Sequence, residues 1–298
     1  MVKTPNYIGI DVGGTKIHAA IVSSSGKIVR QSLVATPKKK AEAIAKIIEL
    51  ANALADKNTA AIGIGVPGPV DFEKQIVIDV PNLSGWKNVP LAKIVSKATG
   101  LPCTIDNDAK CFLLAELEYG AAKGKRNVVG VIMGTGFGSA LAIDGEIYRG
   151  AHGSAGEVGH TIISEKSGAA GFLNSGELES FASGRAIALM AQGTDARVVF
   201  DNAKQGNKKD REIAERAARY AGIGLANIIN VLDPEMIVVG GSLSNALPQM
   251  LPQIKKAIES NCFGLARKTK VVRHKLEFPG TVGAAAVAKA RHANTTKQ

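Results

Sequence analysis

Three polar residues in succession, Asp106-Asn107-Asp108, stand where a short apolar stretch, Cys103-Thr104-Ile105, passes into a helix-like run starting at Ala109. A helix start needs one capping side chain, and Asn107 or Asp108 can supply it. The other polar groups then lack a structural duty. A carboxylate at a strand end facing a cleft is well placed to take a proton from an alcohol. Residue type and position leave Asp106, Asn107 and Asp108 as equal candidates, with capping as the rival reading.

Two glycine turns offer a second chemistry. The first is Gly13-Gly14-Thr15-Lys16, the second Gly134-Thr135-Gly136-Phe137-Gly138. A phosphate chain needs several backbone N–H groups aimed at it with no Cβ in the way, and glycine supplies that access. Asp11, just ahead of the first turn, can hold Mg²⁺ or its waters. An ordinary hairpin turn is the alternative for either stretch alone; two turns at matched places weaken it. The spacing is neither GxxxxGK[ST] nor GxGxxG after a single strand, so the P-loop and Rossmann readings lose ground.

A third group lies in residues 150–184, which are rich in Gly, Ser and Ala and carry Glu157, His160, Glu177 and Glu179. These side chains can bond adjacent hydroxyls or be simple surface polarity. A structural zinc on His160 finds little support, because no cysteine lies between 112 and 261.

The elements that must position these groups follow from periodicity. Residues 7–22 predict two strands around a glycine turn, and Lys27–Val34 a third. Apolar spacing predicts a helix within 37–57, then a strand over Ala60–Val66 closed by Pro67-Gly68-Pro69. Residues 71–89 are loop-rich, Leu91–Thr99 a short helix stopped by Gly100, and 109–119 a helix. A second meander follows: Val128–Met133, Ser139–Ile143 and, after Asp144-Gly145, Glu146–Tyr148. Helices are expected at 184–191, 195–203, 210–230, 247–260 and 282–292, and strands at 236–239 and 270–273. The two meanders match in kind and imply an internal repeat. The expected architecture is α/β, two duplicated domains with a cleft between them and a boundary near residues 106–120. The domains run 1–117 and 118–281, with the last helix, about 282–298, packing back on the first.

Composition narrows the class. At 298 residues with 45% apolar content the chain can bury sizeable cores. No apolar run reaches membrane-spanning length, and the first residues carry no apolar secretory core, so a cytoplasmic protein is expected. Cys103, Cys111 and Cys262 are too few and too scattered for a disulfide framework or a metal pair, and read as apolar fillers. The net charge of +11 suits an anionic partner such as a nucleotide or polyphosphate. Much of it sits in solvated runs such as Lys38-Lys39-Lys40, and aromatic residues make up only 4%, so specific nucleic-acid binding is not expected.

In order along the chain, several stretches resemble the ROK family (repressor, ORF, kinase) of sugar kinases, within the actin/hexokinase/Hsp70-like ATPases with their ribonuclease-H-like domains. They are Ile10–Lys16, Gly65-Val66-Pro67-Gly68-Pro69-Val70-Asp71 and Pro81-Asn82-Leu83-Ser84-Gly85-Trp86. Asn107-Asp108-Ala109, Gly134–Gly138, Gly156-Glu157-Val158-Gly159-His160 and Val239-Gly240-Gly241 follow. The resemblance implies ATP-dependent phosphorylation of a hexose hydroxyl. Asp108 falls on the general base. Asn82, Asn107, Glu157, His160 and Glu179 fall on sugar-hydroxyl contacts. Asp11, Gly13, Gly14, Thr15, Lys16, Gly134, Thr135 and Gly136 serve the phosphates and Mg²⁺, and Gly240 and Gly241 the adenosine side. Closure of the cleft would exclude water.

One stretch departs from the family. Its CxCGxxGCxE zinc motif should fall at 170–179, and Ala170, Phe172 and Glu177 stand where cysteines would be. No structural zinc is expected, His160 is expected to serve only the sugar, and packing by Phe172, Leu173 and Phe181 is expected to hold the loop. Glucose is the first-choice substrate; fructose, mannose, allose or an N-acetylated amino sugar, and polyphosphate as donor, are alternatives. The family's repressors carry a DNA-binding segment ahead of the first glycine turn, and here that turn begins within the first dozen residues, so a repressor is not expected. A non-catalytic sugar sensor is the alternative of another class. A homodimer is implied by the family alone.

Overall fold

The computed structural model describes residues 4–80, 85–165, 167–169 and 176–295. They form two compact units. Unit 1 takes in the described residues up to Gly124, the segment Arg149–Ala155 and the described residues from Lys275 onward; unit 2 takes in Lys125–Tyr148 and the described residues of Gly156–His274.

Unit 1 opens with β1 (Asn6–Val12), β2 (Lys16–Val22) and β3 (Ile28–Ala35), an antiparallel meander. Helix α1 (Lys40–Leu54) leads to β4 (Thr59–Val66). A small hairpin, β5 (Val70–Asp71) and β6 (Ile76–Val77), precedes α2 (Leu91–Thr99), β7 (Cys103–Asn107) and α3 (Asp108–Glu118). The sheet order is β3-β2-β1-β4-β7, with β4 parallel to both β1 and β7. Position explains composition: Ile8, Ile10, Val12, Ile62, Ile64 and Val66, on the central β1 and β4, are fully enclosed. The edge strand β3 is largely exposed.

Unit 2 repeats the plan with β8 (Val128–Met133), β9 (Phe137–Ile143) and β10 (Glu146–Tyr148). Four helices follow: α4 (Glu179–Ala182), α5 (Gly184–Met190), α6 (Ala196–Lys204) and α7 (Lys208–Leu232). Then come β11 (Met236–Gly240), α8 (Leu247–Asn261) and β12 (Lys270–Arg273). Its order, β10-β9-β8-β11-β12, is that of the first sheet, with β11 parallel to β8 and β12. The expected duplication is thus present in the topology itself. A stripe of small residues on α7, from Ala214 through Ala217, Ala218 and Ala221, lets that helix bury deeply in the unit 2 core.

The last helix, α9 (Pro279–Thr295), belongs to unit 1 and lies against β1, β4 and α3. Its approach is closer than side chains normally allow. A Cβ on Gly63 would fall 1.8 Å from the Ala284 carbonyl oxygen. The alanine run Ala284-Ala285-Ala286 and Ala288 completes the flush contact. The chain re-enters unit 1 under a buried carboxylate, Glu116, which accepts the N–H groups of Ala121 (2.7 Å), Lys275 (3.0 Å) and Leu276 (3.0 Å).

Some boundaries differ from the sequence expectation. The final helix starts at Pro279 rather than Val282, because proline at a first helical position is pre-organised for the turn although Pro-Gly reads locally as a loop. Likewise α7 runs over Lys208–Leu232 rather than 210–230: Asn207 caps it by accepting the Asp210 N–H. The β5–β6 hairpin lies in sequence read as loop, since two-residue strands carry no periodicity.

Candidate active site

Within unit 1, β7 ends at Asn107 and α3 starts at Asp108. The Asn107 Oδ1 accepts the N–H groups of Ala109 (3.0 Å) and Lys110 (3.2 Å), which makes Asn107 the helix cap. Its Nδ2 donates to the Gly68 carbonyl (3.1 Å) and to Asp108 Oδ1 (3.1 Å). Asp108 Oδ1 also accepts the Ala109 N–H at 2.8 Å. Capping and site chemistry are therefore not rivals: one amide caps the helix and orients the neighbouring carboxylate. Asp108 is half-buried, which leaves its carboxylate within reach of a ligand.

Asp106 takes a different part. It is almost fully buried, accepts the Asn107 N–H (2.9 Å) and pairs with Arg149 Nη2 at 2.5 Å. The Arg149 guanidinium lies 3.8 Å from the centre of the Phe72 ring. Buried Lys110 donates to the Gly153 carbonyl at 3.0 Å. Asp106 and Lys110 thus hold the Arg149–Ala155 segment onto unit 1. Sequence reasoning missed Arg149 and Lys110, because a basic residue in a loop or helix carries no local sign that a buried partner awaits it.

Asp11 lies on β1 opposite His18 of β2. Burial, and secondly the negative charge of Asp108, push its carboxyl from the ordinary 3.8 up to about 7. A Cβ on Gly280 would fall 2.4 Å from Asp11 Oδ2, so the first turn of α9 abuts this carboxylate. The adjacent glycine turn is tied by Gly13 N–H to the Lys16 carbonyl (2.9 Å), by the Thr36 hydroxyl to the Gly13 carbonyl (2.7 Å) and by Thr36 N–H to the Thr15 carbonyl (3.0 Å). The N–H groups of Gly14 and Thr15 have no hydrogen bond among the described residues, and both residues are exposed with Lys16.

The unit 2 turn is braced by another route. Glu179, first residue of α4, accepts the Phe137 N–H at 2.7 Å, and a Cβ on Gly136 would fall 2.7 Å from the same oxygen. The first amides of α5 donate to the turn: Gly184 N–H to the Gly134 carbonyl (2.8 Å) and Arg185 N–H to the Thr135 carbonyl (3.1 Å). Gly134 N–H is spent on the Gly136 carbonyl. The N–H groups of Thr135 and Gly136 remain without a hydrogen bond among the described residues. Glu179, expected on the sugar, is thus also built into the phosphate-type turn.

Glu157 precedes a 3-10 turn, Val158–His160, and its carbonyl accepts the His160 N–H at 3.2 Å. A β-bridge between Ile162 and Glu177 brings the fully buried Glu177 carboxylate to His160, Oε2 to Nδ1 at 2.9 Å. This corrects the expectation that His160 serves only the sugar: one ring nitrogen is engaged within the protein. Phe181 is buried and tilted against Tyr220, centroids 4.3 Å apart. Asn82, Ala170, Phe172 and Leu173 lie outside the described residues.

Gly240 closes β11. Gly241 follows with φ +82°, its α-carbon so near the Met133 carbonyl that a Cβ would fall 2.4 Å from that oxygen. Beside it opens a cavity of about 210 Å³ lined by Phe200, Ser242, Leu243, Asn245 and Gln249 among others. Phe200, Leu243 and Ala246 give it apolar walls, and Arg197, Asp201, Asn245 and Gln249 give it charged and amide groups, a mixture that suits a planar heterocycle with polar edges. Of these residues only the Gly-Gly pair was legible in the sequence.

The donor sets decide which metals fit. Among the described residues no three His, Cys, Asp or Glu side chains cluster. Mg²⁺ is commonly held by one or two carboxylates with the remaining ligands from phosphates and water, and the crowded Asp11 carboxyl suits that role. A structural zinc does not fit: the residues aligned with the zinc cysteines are Ala170, Phe172 and Glu177, and Glu177 bonds His160 directly. No described helix is long and apolar enough to cross a membrane.

Comparison with known proteins agrees in extent and in kind. The ROK family model matches residues 7–291. A glucokinase of Halalkalibacterium halodurans is 32% identical over 284 residues, covering 85% of each chain. An N-acetyl-D-glucosamine kinase of Photobacterium profundum is 33% identical over 300 residues, covering 94% of this chain and 98% of that one. The crystal structure of a ROK family glucokinase from Streptomyces griseus, in complex with glucose and AMPPNP, superposes with a TM-score of 0.84. It is 29% identical and covers 96% of this chain and 99% of that one. With a match of this length, a shared two-sheet α/β fold and relatives above 30% identity, the chain belongs to the ROK family.

Proposed function

We propose that this protein is an ATP-dependent hexose kinase that phosphorylates the primary hydroxyl of its sugar, with glucose as the first-choice substrate. The observation that carries the reading is the Asp108 carboxylate, oriented by Asn107 at a helix start in the unit that also holds Asp11 and the first glycine turn. Asp108 accepts the proton of the sugar hydroxyl as its oxygen attacks the γ-phosphorus and the bond to the ADP oxygen breaks. Asn82, Asn107, Glu157, His160 and Glu179 bind the remaining hydroxyls. The open N–H groups of Gly14, Thr15, Thr135 and Gly136 bind phosphoryl oxygens, and Lys16 adds positive charge. Mg²⁺ carried on the nucleotide would neutralise phosphate charge beside Asp11. The cavity beside Gly241 takes the adenosine end. Support comes from glucokinase relatives and from the AMPPNP in the related structure.

A coupled kinase assay tests this with glucose, fructose, mannose, allose and N-acetylglucosamine, each with ATP or polyphosphate. Glucose with ATP is expected to give the highest kcat/KM. The amino sugar is the chief competitor, given the N-acetyl-D-glucosamine kinase relative. Absence of turnover with every pair, alongside measurable sugar binding, would leave a sugar sensor instead.

A further inference from the structure

The Glu177–His160 pair has no part in the mechanism above beyond the hydroxyl contact given to His160. Among the described residues, Glu177, like Glu116, is fully buried. Burying a carboxylate is costly unless it is hydrogen-bonded, so its partners must be fixed by the fold. Here the backbone fixes them. The Ile163 N–H donates to the Gly176 carbonyl (3.0 Å) and the Leu178 N–H to the Thr161 carbonyl (2.9 Å), which clamps 161–163 alongside 176–178. Ser180 closes the other side: its hydroxyl donates to the Glu177 carbonyl at 2.7 Å. The His160 ring is 27% exposed, so one side of it is packed and the other reaches the surface.

From these contacts we infer that Glu177 is a positioning residue that replaces a metal tether: its carboxylate holds His160 in the tautomer with the proton on Nδ1, so that Nε2 is the hydrogen-bond acceptor offered to a sugar hydroxyl. An ionised carboxylate can only accept, so the proton of the shared bond resides on Nδ1. A neutral ring then carries its lone pair on Nε2. A sugar hydroxyl that meets this ring donates to Nε2, and a sugar alkylated at that hydroxyl cannot make the bond. A metal on Nδ1 would occupy that nitrogen's lone pair and leave the proton on Nε2, so the carboxylate fixes the ring as a metal would but reverses its polarity toward the sugar. The ring is held here without zinc. The sugar is the part of this inference that rests on the kinase reading; the tautomer and the metal content do not.

Three measurements on the full-length protein test it. In ¹⁵N-histidine-labelled wild type, the long-range imidazole spectrum at neutral pH is expected to show His160 protonated at Nδ1, assigned with His160→Asn. Metal analysis of protein purified without chelator is expected to find zinc well below one equivalent per chain. In Glu177→Gln, whose amide can donate as well as accept, the His160 tautomers are expected to mix. KM for the sugar should then rise about tenfold, with kcat and KM for ATP within about threefold of wild type. An Nε2-protonated ring in wild type, one zinc per chain, or an unchanged tautomer in Glu177→Gln overturns the inference. A shifted tautomer in a protein that turns over no sugar would instead sink the kinase reading and leave the positioning role intact.

Discussion

The two glycine turns sit at the same place in two sheets of the same strand order, yet they are built for different work. In unit 1 the hairpin closes from Val12 to Ile17, and the residue one pair further in is Asp11. In unit 2 it closes from Met133 to Phe137, one residue tighter, and the corresponding residue is Ile132. The first turn is tied by Thr36 and faces a titratable carboxylate. The second is tied by the Glu179 carboxylate and the first amides of α5, and presents neutral N–H groups. Duplication copied the scaffold; the strand-borne carboxylate was kept on one side only, and the carboxylate at the second turn comes from α4 and is spent on the Phe137 N–H.

The largest effect should come from the unit 1 chemistry. Asp108→Asn keeps the shape and the Ala109 hydrogen bond but cannot take a proton. It is expected to lower kcat by about 10³-fold with KM for the sugar nearly unchanged. Near-normal steady-state turnover in that variant would remove the base from unit 1.

A smaller effect should expose the double duty of unit 2. Glu179→Ala strips the acceptor from the Phe137 N–H as well as a proposed sugar contact, so KM for both glucose and ATP should rise, each by about tenfold. If initial-rate kinetics show only the sugar KM moving, the brace on the second turn is of no consequence for the nucleotide and the two turns differ less than their ties suggest.

The smallest effect is on stability, and its sign distinguishes the turns. Folding raises the Asp11 pKa, so the group stabilises the fold fully below about 3.8 and that contribution is lost as pH rises through about 7. Without Mg²⁺, Asp11→Asn should therefore gain on wild type between pH 5 and pH 8, by up to ~4 kcal/mol in denaturant unfolding. Ile132→Asn has no ionisation to relieve and should show no such pH-dependent gain. A variant Asp11→Asn that is no more stable than wild type at pH 8 would show that the carboxyl is not strained by its surroundings.

Much of this was legible in the chain. The strand–turn–strand repeats announce themselves through apolar residues around glycines, whereas the sheet orders that place β4, β7, β11 and β12 came only with the structure. Asn107-Asp108 stood out because polar residues interrupted an apolar handover. What stayed hidden has long-range partners. Arg149 lies 43 positions from Asp106, and Glu116 meets Lys275 N–H 159 positions away. No spacing rule joins such pairs. Glu177 was visible as one polar residue of the 150–184 stretch and as a position without the zinc motif's cysteine; its bond to His160 depends on a bridge across 162 and 177.

Residue types and their order thus determined the α/β repeat, the phosphate-type turns and the presence of a base candidate, because those depend on local periodicity and local backbone access. Tertiary structure alone decided what surrounds each carboxylate. Burial against Arg149 turned Asp106 into an anchor, and hydrogen bonds from Asn107 and Ala109 aimed Asp108. Crowding against α9 and Asp108 strained Asp11, and an isolated bridge between Ile162 and Glu177 set Glu177 beside His160. The same functional group in four environments acquires four roles, since the free energy of a charge is set by the solvent and partners that the fold leaves it.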